Sequence, residues 1–386
     1  MKRKLETKFG QPSWRIATPE VAAFVTETGG HLGPVTFRLG TKRIQPLAIA
    51  PWAEESTPAS LPSILKVLRG DFFCLPFGGN ATPFRGERHP VHGETANRRW
   101  TLRHEGPGEL HLSLSTRIRR GQVEKFVFLR PGQTAVYQRH VLHGFSGPMN
   151  FGHHAMLKFP DIAGSGRIST SRFVIGQVAP LLLEHPADGG YSCLRVGARL
   201  KSLEKVPLAN GGWTDLRHYP ARRGFEDLVL LASDDRQSLA WTAATFPEEG
   251  YVWFALKDPR VLRQTVFWLS NGGRHYAPWN GRHVNVLGLE EVTAYFHYGL
   301  AESAKRNPLS TRGFPTSHRF DRETPLVVNY LMAVAAIPKR FDRVAAMVPA
   351  ADRRAVRLVA CSGSAVQVPL DLDFLGVEDL KARPIF

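Results

Sequence analysis

The nine residues LHLSLSTRI, from Leu110 to Ile118, set Leu110, Leu112 and Leu114 against His111, Ser113 and Ser115. A period of two places the leucines on one face of an extended chain and the polar residues on the other, so this stretch predicts a half-buried β-strand. The same reading extends in both directions. EKFVFLRPGQTAVYQRHVLHGF (Glu124–Phe145) predicts a hairpin turning at Pro131-Gly132, and AFVTETGGHLGPVTFRLG (Ala23–Gly40) predicts strand, Gly-Gly turn, strand. DLVLLAS, LAWTAATF, YVWFALKD and QTVFWLSNGG follow between residues 227 and 273, all short and rich in β-branched or aromatic residues. AVRLVACSGSAVQVPLDLDFL (Ala355–Leu375) predicts a last hairpin. Helical signals are few. EEVTAYFHYGLAESAKR (Glu290–Arg306) suits a short helix near its end, and DRVAAMVPAADRRA (Asp342–Ala355) a turn of helix. PLVVNYLMAVAAIP (Pro325–Pro338) has a length that fits helix or strand and a valine content that leans to strand. The expected class is therefore all-β, a large antiparallel β-sandwich. The polar, turn-rich segment 301–325 reads as a linker. It divides a sandwich over residues 1–305 from a C-terminal β extension over 306–386 that packs on it.

Composition bounds what such a sandwich can do. A chain of 386 residues, 43% of them apolar, can bury a large core, and its 35 glycines and 28 prolines favour many turns. Lys and Arg outnumber Asp and Glu by 50 to 34, a formal charge of +16. The arginines are scattered and no block of five like charges occurs, which speaks against a nucleic-acid or membrane surface. Steering of acidic sugars or phosphates stays open. RHYPARRGF (Arg217–Phe225) is the nearest approach to a nucleic-acid stretch, and GSGRIST (Gly164–Thr170) lacks the Lys-Ser/Thr of a phosphate loop. Cys74, Cys193 and Cys361 are odd in number and widely spaced, so they predict neither a disulfide framework nor a metal pair. The N-terminal MKRKLETKFG is basic with no apolar run after it, and no run approaches a membrane span, so the expected location is the cytoplasm.

Ionisable residues gather in three distant stretches. LRGDFFCLPFGGN (Leu68–Asn80) and HPVHGETANRRW (His89–Trp100) form the first, with Arg69, Arg85 between them, His92 and Glu94. GPMNFGHHAMLKFP (Gly147–Pro160) holds adjacent His153 and His154, then Lys158. NGGRHYAPWNGRHVNVLGLEEVTAYF (Asn271–Phe296) ends an apolar strand at Glu290-Glu291. A strand points neighbouring side chains to opposite faces, so only one member of each adjacent pair can enter a given cleft. Val286 and Gly288 share the face of Glu290, whereas Leu287 and Leu289 share that of Glu291. The Glu290 face is thus the more open one, with space for a ligand expected beside Gly288. For the histidines, periodicity leaves both choices open.

In this order the stretches resemble the galactose mutarotase-like superfamily, which includes the aldose 1-epimerases. CLPFGGN and HGETANRRW look like its Pro-Phe-Gly segment and its His-Gly motif before an Arg and a Trp. NFGHHAMLKF is similar to its catalytic-histidine strand, with His154 on the histidine and His153 where Asn is common. VLGLEEVTA matches the strand that ends in the catalytic Glu, through Glu290. The resemblance spans roughly residues 15–300 and implies the supersandwich fold and a carbohydrate ligand. It also implies an isomerase in which Glu290 is the base, His154 the acid on the opposite side of the sugar ring, and His92 a donor to the ring oxygen. No metal or other cofactor is implied. The loop between Gly78 and His92 is shorter than usual, so the family's substrate-binding arginine falls to Arg69 or Arg85. Asp215 or Asp227 stands for its mid-chain Asp, with Asn80, His153 and Lys158 as further substrate contacts. Trp279 is available to cover a sugar face, beside Trp100, Phe77 and Tyr276. The arginines and Lys158 near the motifs lead to an expected preference for acidic or phosphorylated sugars. Another reaction on the same sandwich (lyase, isomerase or hydrolase) and a binding protein without turnover are the alternatives.

Overall fold

The structure, a computed structural model, describes residues 5–376. Two large antiparallel sheets carry it. One has nine strands, with Leu326–Ala336 at its centre between Tyr251–Lys257 and Ala135–His143. The other runs Arg199–Leu200, Phe173–Val178, Phe225–Ser233, Gln264–Asn271, Val286–Thr293, Phe151–His153, Phe73–Cys74, with Ala155–Lys158 also pairing Val286–Thr293. The expected all-β sandwich is what the chain forms. The Leu110–Thr116 alternation lies in the strand Glu109–Thr116, with Leu110, Leu112 and Leu114 in the core. Pairing of Gly121–Phe128 with Ala135–His143 gives the hairpin read around Pro131-Gly132. A separate five-stranded sheet over residues 6–44 includes the hairpin of Val21–Thr26 with Leu32–Leu39.

Burial on the second sheet shows where a site can form. Gln264–Asn271 and Val286–Thr293 are buried at every residue. Alternate residues can all be buried only if both faces are covered. The inner face packs on the nine-stranded sheet through Phe267, Leu269, Leu287 and Leu289. The outer face carries Val266, Trp268, Val286 and Val292 into a second apolar cluster with Trp52, Ile64, Leu68 and Trp279. Those last four come from the helix Ser63–Val67 and from loops, so a layer of irregular chain roofs the outer face.

The division of the chain differs from the sequence reading. Leu326–Ala336 is a strand, as its valines suggested, and it sits mid-sheet, paired along its length with two neighbours. A boundary at 305/306 would cut the sandwich through its centre, so the sandwich continues to residue 336. Segment 301–325 is also no free linker. It contains the helix Leu300–Ala304, buries Leu309 and Phe320, and adds His318–Phe320 to Gly147–Met149 as a ribbon. The appended unit is the three-stranded sheet of Val344–Pro349, Ala355–Ala360 and Ala365–Pro369, where strand replaces the expected turn of helix. It packs against the nine-stranded sheet through Phe341, Leu358 and Leu370. Residues 377–386 of the expected extension lie outside the described residues. Among the described residues no helix is long and apolar enough to cross a membrane.

Candidate active site

Three neighbouring strands build the floor of a cleft on the outer face. Antiparallel register sets Leu228 opposite Trp268, and Trp268 opposite Gly288. Two residues on from Gly288, Glu290 presents its carboxyl to the same face. That carboxyl folds back over the glycine: a Cβ at position 288 would meet Glu290 Oε1 at 2.8 Å and Trp268 Cβ at 3.0 Å. The space expected for a ligand beside Gly288 is instead filled by Glu290 itself. His154 follows the strand Phe151–His153. Its backbone N–H donates to Phe72 O and to Asp71 Oδ1, both at 3.0 Å. Its ring stacks on Phe72 with centroids 4.5 Å apart and meets the edge of Trp268 at 5.6 Å.

These placements bring His154 Nε2 to 3.1 Å from Glu290 Oε1. The two groups that the resemblance makes acid and base thus stand side by side, rather than facing one another across a sugar as it implied. Burial pushes the Glu290 carboxyl well above the ordinary range, with Arg274 pulling weakly the other way. Burial also lowers His154 to about 3. Both effects favour the uncharged form, so the pair rests as carboxylic acid and neutral imidazole. Glu290 Oε2 and His154 Nδ1 are buried without a hydrogen-bond partner among the described residues.

His92 joins them from the loop after Phe73–Cys74, its ring centroid 4.8 Å from that of His154. Its Nδ1 lies 3.2 Å from Cys74 Sγ and accepts from Gly78 N at 3.4 Å. Burial raises the Cys74 thiol well above its usual value, so it keeps its proton and donates. Two donors on Nδ1 leave the ring proton of His92 on Nε2. His297 lies on the other side of His92, with centroids also 4.8 Å apart.

The cleft above this floor has a cavity volume of about 90 Å³, narrow beside the roughly 300–1,000 Å³ usual for small-ligand sites. One wall is Trp279, which packs edge-on against Trp52 at 4.8 Å. Arg274 lies over the Trp279 ring at 4.5 Å and donates from Nε to Glu184 Oε1 at 2.6 Å. Behind it, Glu226 accepts from Trp268 Nε1 at 2.8 Å, Ser270 Oγ at 2.9 Å and Gly273 N at 3.2 Å. Burial raises Glu226 to about 7. Gly273 is needed there because a Cβ would come within 2.5 Å of the 225–226 backbone. That close approach lets the chain turn inward and aim Arg274 at the cleft.

Of the expected residues, Glu290, His154, His92 and Trp279 meet at this cleft. The others are elsewhere, each for a visible reason. Arg69 is fully buried: it donates to Val67 O beside it and holds the N-terminal hairpin through Lys8 O and Phe9 O. Arg85 is exposed over Phe84 in a turn. Asn80 clasps two loops, donating to Gly78 O and Pro90 O and accepting from Leu300 N. His153 points to the inner face, with Nδ1 2.8 Å from Asp71 Oδ2. Lys158 is exposed and lines a different surface depression. Asp215 pairs with Arg217 and His218, and Asp227 accepts from Cys193 N and Leu194 N. Arg98 and Arg99 are paired with Glu94 and Glu27. Trp100 is a core residue donating to Thr95 O, and Phe77 packs behind His92. The cations that suggested an acidic sugar are thus not at the cleft.

No family model matches the sequence, and no curated protein does. Solved structures match over most of the chain. A provisionally assigned aldose 1-epimerase from Escherichia coli K12 superposes with a TM-score of 0.58 at 13% identity, over 85% of this chain and 100% of that one. A galactose mutarotase-like protein from Lactobacillus casei gives 0.56 at 10%, over 84% and 100%. The galactose mutarotase related enzyme from Lactobacillus acidophilus gives 0.54 at 10%, over 84% and 97%. The chain is similar to these in architecture, which is the galactose mutarotase-like fold.

Proposed function

We propose that this protein is an aldose 1-epimerase, an isomerase that opens the ring of a reducing sugar and recloses it on the other face. The observation that carries the reading is the contact between Glu290 and His154 on the cleft floor: carboxyl and imidazole 3.1 Å apart, each with a polar atom still unpartnered. Ring opening breaks C1–O5 and makes C1=O1, so O1 must lose a proton and O5 must gain one. Both oxygens are bonded to C1. A base and an acid standing side by side can therefore serve the two from one side. With the sugar bound, the Glu290 carboxyl passes its proton to His154 Nε2 across their 3.1 Å contact; Glu290 then takes the O1 proton and His154 gives its Nε2 proton to O5. The open-chain aldehyde then sits over the neutral pair, acid and imidazole. Rotation about C1–C2 turns the other face, and the reverse transfers close the ring. No proton is exchanged with solvent.

Burial supports this cycle because it favours the uncharged pair, the form that accompanies the opened sugar. His92, protonated on Nε2, donates to the ring oxygen or a neighbouring hydroxyl. Trp268 and Trp279 supply aromatic surface for the sugar. Three free cysteines fit the cytoplasm, where we place the protein. The test is anomer exchange followed by NMR over a panel of aldoses. The wild type should accelerate exchange of at least one sugar. Ligand binding with no acceleration for any aldose would instead leave a carbohydrate-binding protein without turnover.

A further inference from the structure

The walls of the cleft say more about the ligand than its floor. The polar lining is a cluster of Glu290, His154, His92 and His297, with Arg274 over Trp279 and already held by Glu184. The remaining wall is aliphatic, built from Ile64, Leu65, Leu68, Val91, Leu183 and Leu228, and from aromatic rings. Trp52 Nε1–H donates to Leu65 O at 2.7 Å, which fixes the helix that brings two of these residues inward. The apolar surface also continues outside. Leu181 and Leu182, next to Leu183 in the chain, are 65% and 44% exposed, unusual for leucines in one short loop.

A fully hydroxylated pyranose fits such a wall badly. Its hydroxyls at the far end would be stripped of water and given no partner, at roughly tenfold or more in affinity for each. A methyl, acyl or aryl group in the same place would gain by burial. An anionic group gains little here, because Glu184 already pairs with Arg274. We infer that the substrate is a reducing sugar whose end remote from C1 is apolar: deoxygenated, or carrying an aliphatic or aromatic substituent that runs along the leucine wall. This deepens the epimerase reading and rests on it for the free C1 hydroxyl only; the apolar wall is independent of the reaction.

The experiment compares ligands that share glucose C1 and differ at the far end: D-glucose, 6-deoxy-D-glucose, 4,6-O-benzylidene-D-glucose and 6-O-octanoyl-D-glucose. Binding is read by calorimetry and by fluorescence of the wall tryptophans. The deoxy sugar and at least one substituted sugar should bind tenfold or more tighter than glucose. Leu65→Gln and Val91→Asn, at half-buried and exposed positions on the rim, should shrink that ratio by severalfold without loss of fold. Glucose binding as tightly as both substituted sugars overturns the inference, as does failure of all four to bind. Anomer exchange on the same samples separates the two readings. Tight binding of the apolar sugars with no exchange would sink the epimerase and leave this inference standing. Rapid exchange of glucose with no gain from the substituents would do the reverse.

Discussion

Two buried clusters of ionisable groups lie back to back on one sheet, and they are finished differently. On the inner face, Glu291 accepts from Thr242 at 2.9 Å and Thr265 at 2.7 Å and pairs with Lys257. Asp71 likewise accepts from Gln138 at 2.6 Å and the His154 N–H, and sits 2.8 Å from the His153 ring. Every oxygen of these two carboxylates is engaged. On the outer face, one residue from Glu291, Glu290 has His154 as its hydrogen-bonding neighbour and a bare second oxygen. A buried polar atom without a partner is costly and uncommon. At the carboxyls the contrast is plain: the inner pair are saturated by the protein, whereas Glu290 keeps a hydrogen-bonding atom unpartnered at the cleft.

Exchanging the members of the adjacent pairs should break this contrast in the clearest way. Glu290→Gln keeps the shape but removes the base, and should cost about 10² to 10⁴ in anomer-exchange rate with the thermal midpoint held or raised. Glu291→Gln should leave the chemistry nearly intact in the folded fraction. It strands Lys257, so it should destabilise by about 3–5 kcal/mol, read by denaturant unfolding. An inactive, fully stable Glu291→Gln protein would reverse the assignment. The histidines give the parallel test. His154→Ala should lose at least about 10² in rate, whereas His153→Ala should chiefly lower stability by removing the ring beside Asp71.

Much of the contrast could be read from the sequence, because a period of two assigns faces without any knowledge of the fold. It separated Glu290 from Glu291, and the resemblance chose His154 over His153. The residues it missed come to the site through loops or through strand register. Arg274 enters because Gly273 lets the chain pass close to the neighbouring strand, a contact 47 residues distant in sequence. Trp268 faces Gly288 only through the register of a hairpin with a long connection. Arg69, Arg85 and Lys158 are near the motifs only along the chain: Arg69 turns to the N-terminal hairpin, Arg85 sits in an exposed turn, and Lys158 ends a strand facing solvent. Leu326–Ala336 failed as a domain signal for a similar reason. Its place in mid-sheet follows from partners near residues 140 and 255, which local composition does not encode.

Acid should weaken the protein through both clusters. His31, His154 and His283 are lowered by burial to about 3, and His297 to about 4; His92 and His140 are also held low by burial. A group whose folded value is depressed contributes stability that is complete above its unfolded value, 6.5 for histidine, and is lost as the pH falls below it. Each fully buried ring accounts for about 1.4 kcal/mol per pH unit. Glu226 and Glu290 run the other way, because raised carboxyls favour the folded state more as the pH drops toward 4.5. The histidines are more numerous, so unfolding free energy should fall by several kcal/mol between pH 7 and 5. A His154→Gln variant should show a shallower slope by about one ring's share. A flat profile over that range would mean that these imidazoles are not held neutral.

The smallest effect expected is the most local. Gly288 lies within the strand Val286–Thr293, with backbone that any residue adopts, so only space requires the glycine. A methyl there would sit 2.8 Å from Glu290 Oε1 and 3.0 Å from Trp268 Cβ. Something must yield, and the carboxyl, at the end of a side chain, yields more easily than a tryptophan Cβ locked in the sheet. Gly288→Ala should therefore swing Glu290 away from His154 Nε2 and lower the rate by about tenfold, the price of a misplaced group rather than of a missing one. Overpacking should cost about 1–3 kcal/mol in stability. The inner face provides the control: Leu289→Val, next in the chain but pointing between the sheets, should cost similar stability and leave the rate per folded molecule unchanged. Equal rate losses from both substitutions would mean that the two faces are mechanically coupled, and that the separation of the two clusters is not as clean as their hydrogen bonding.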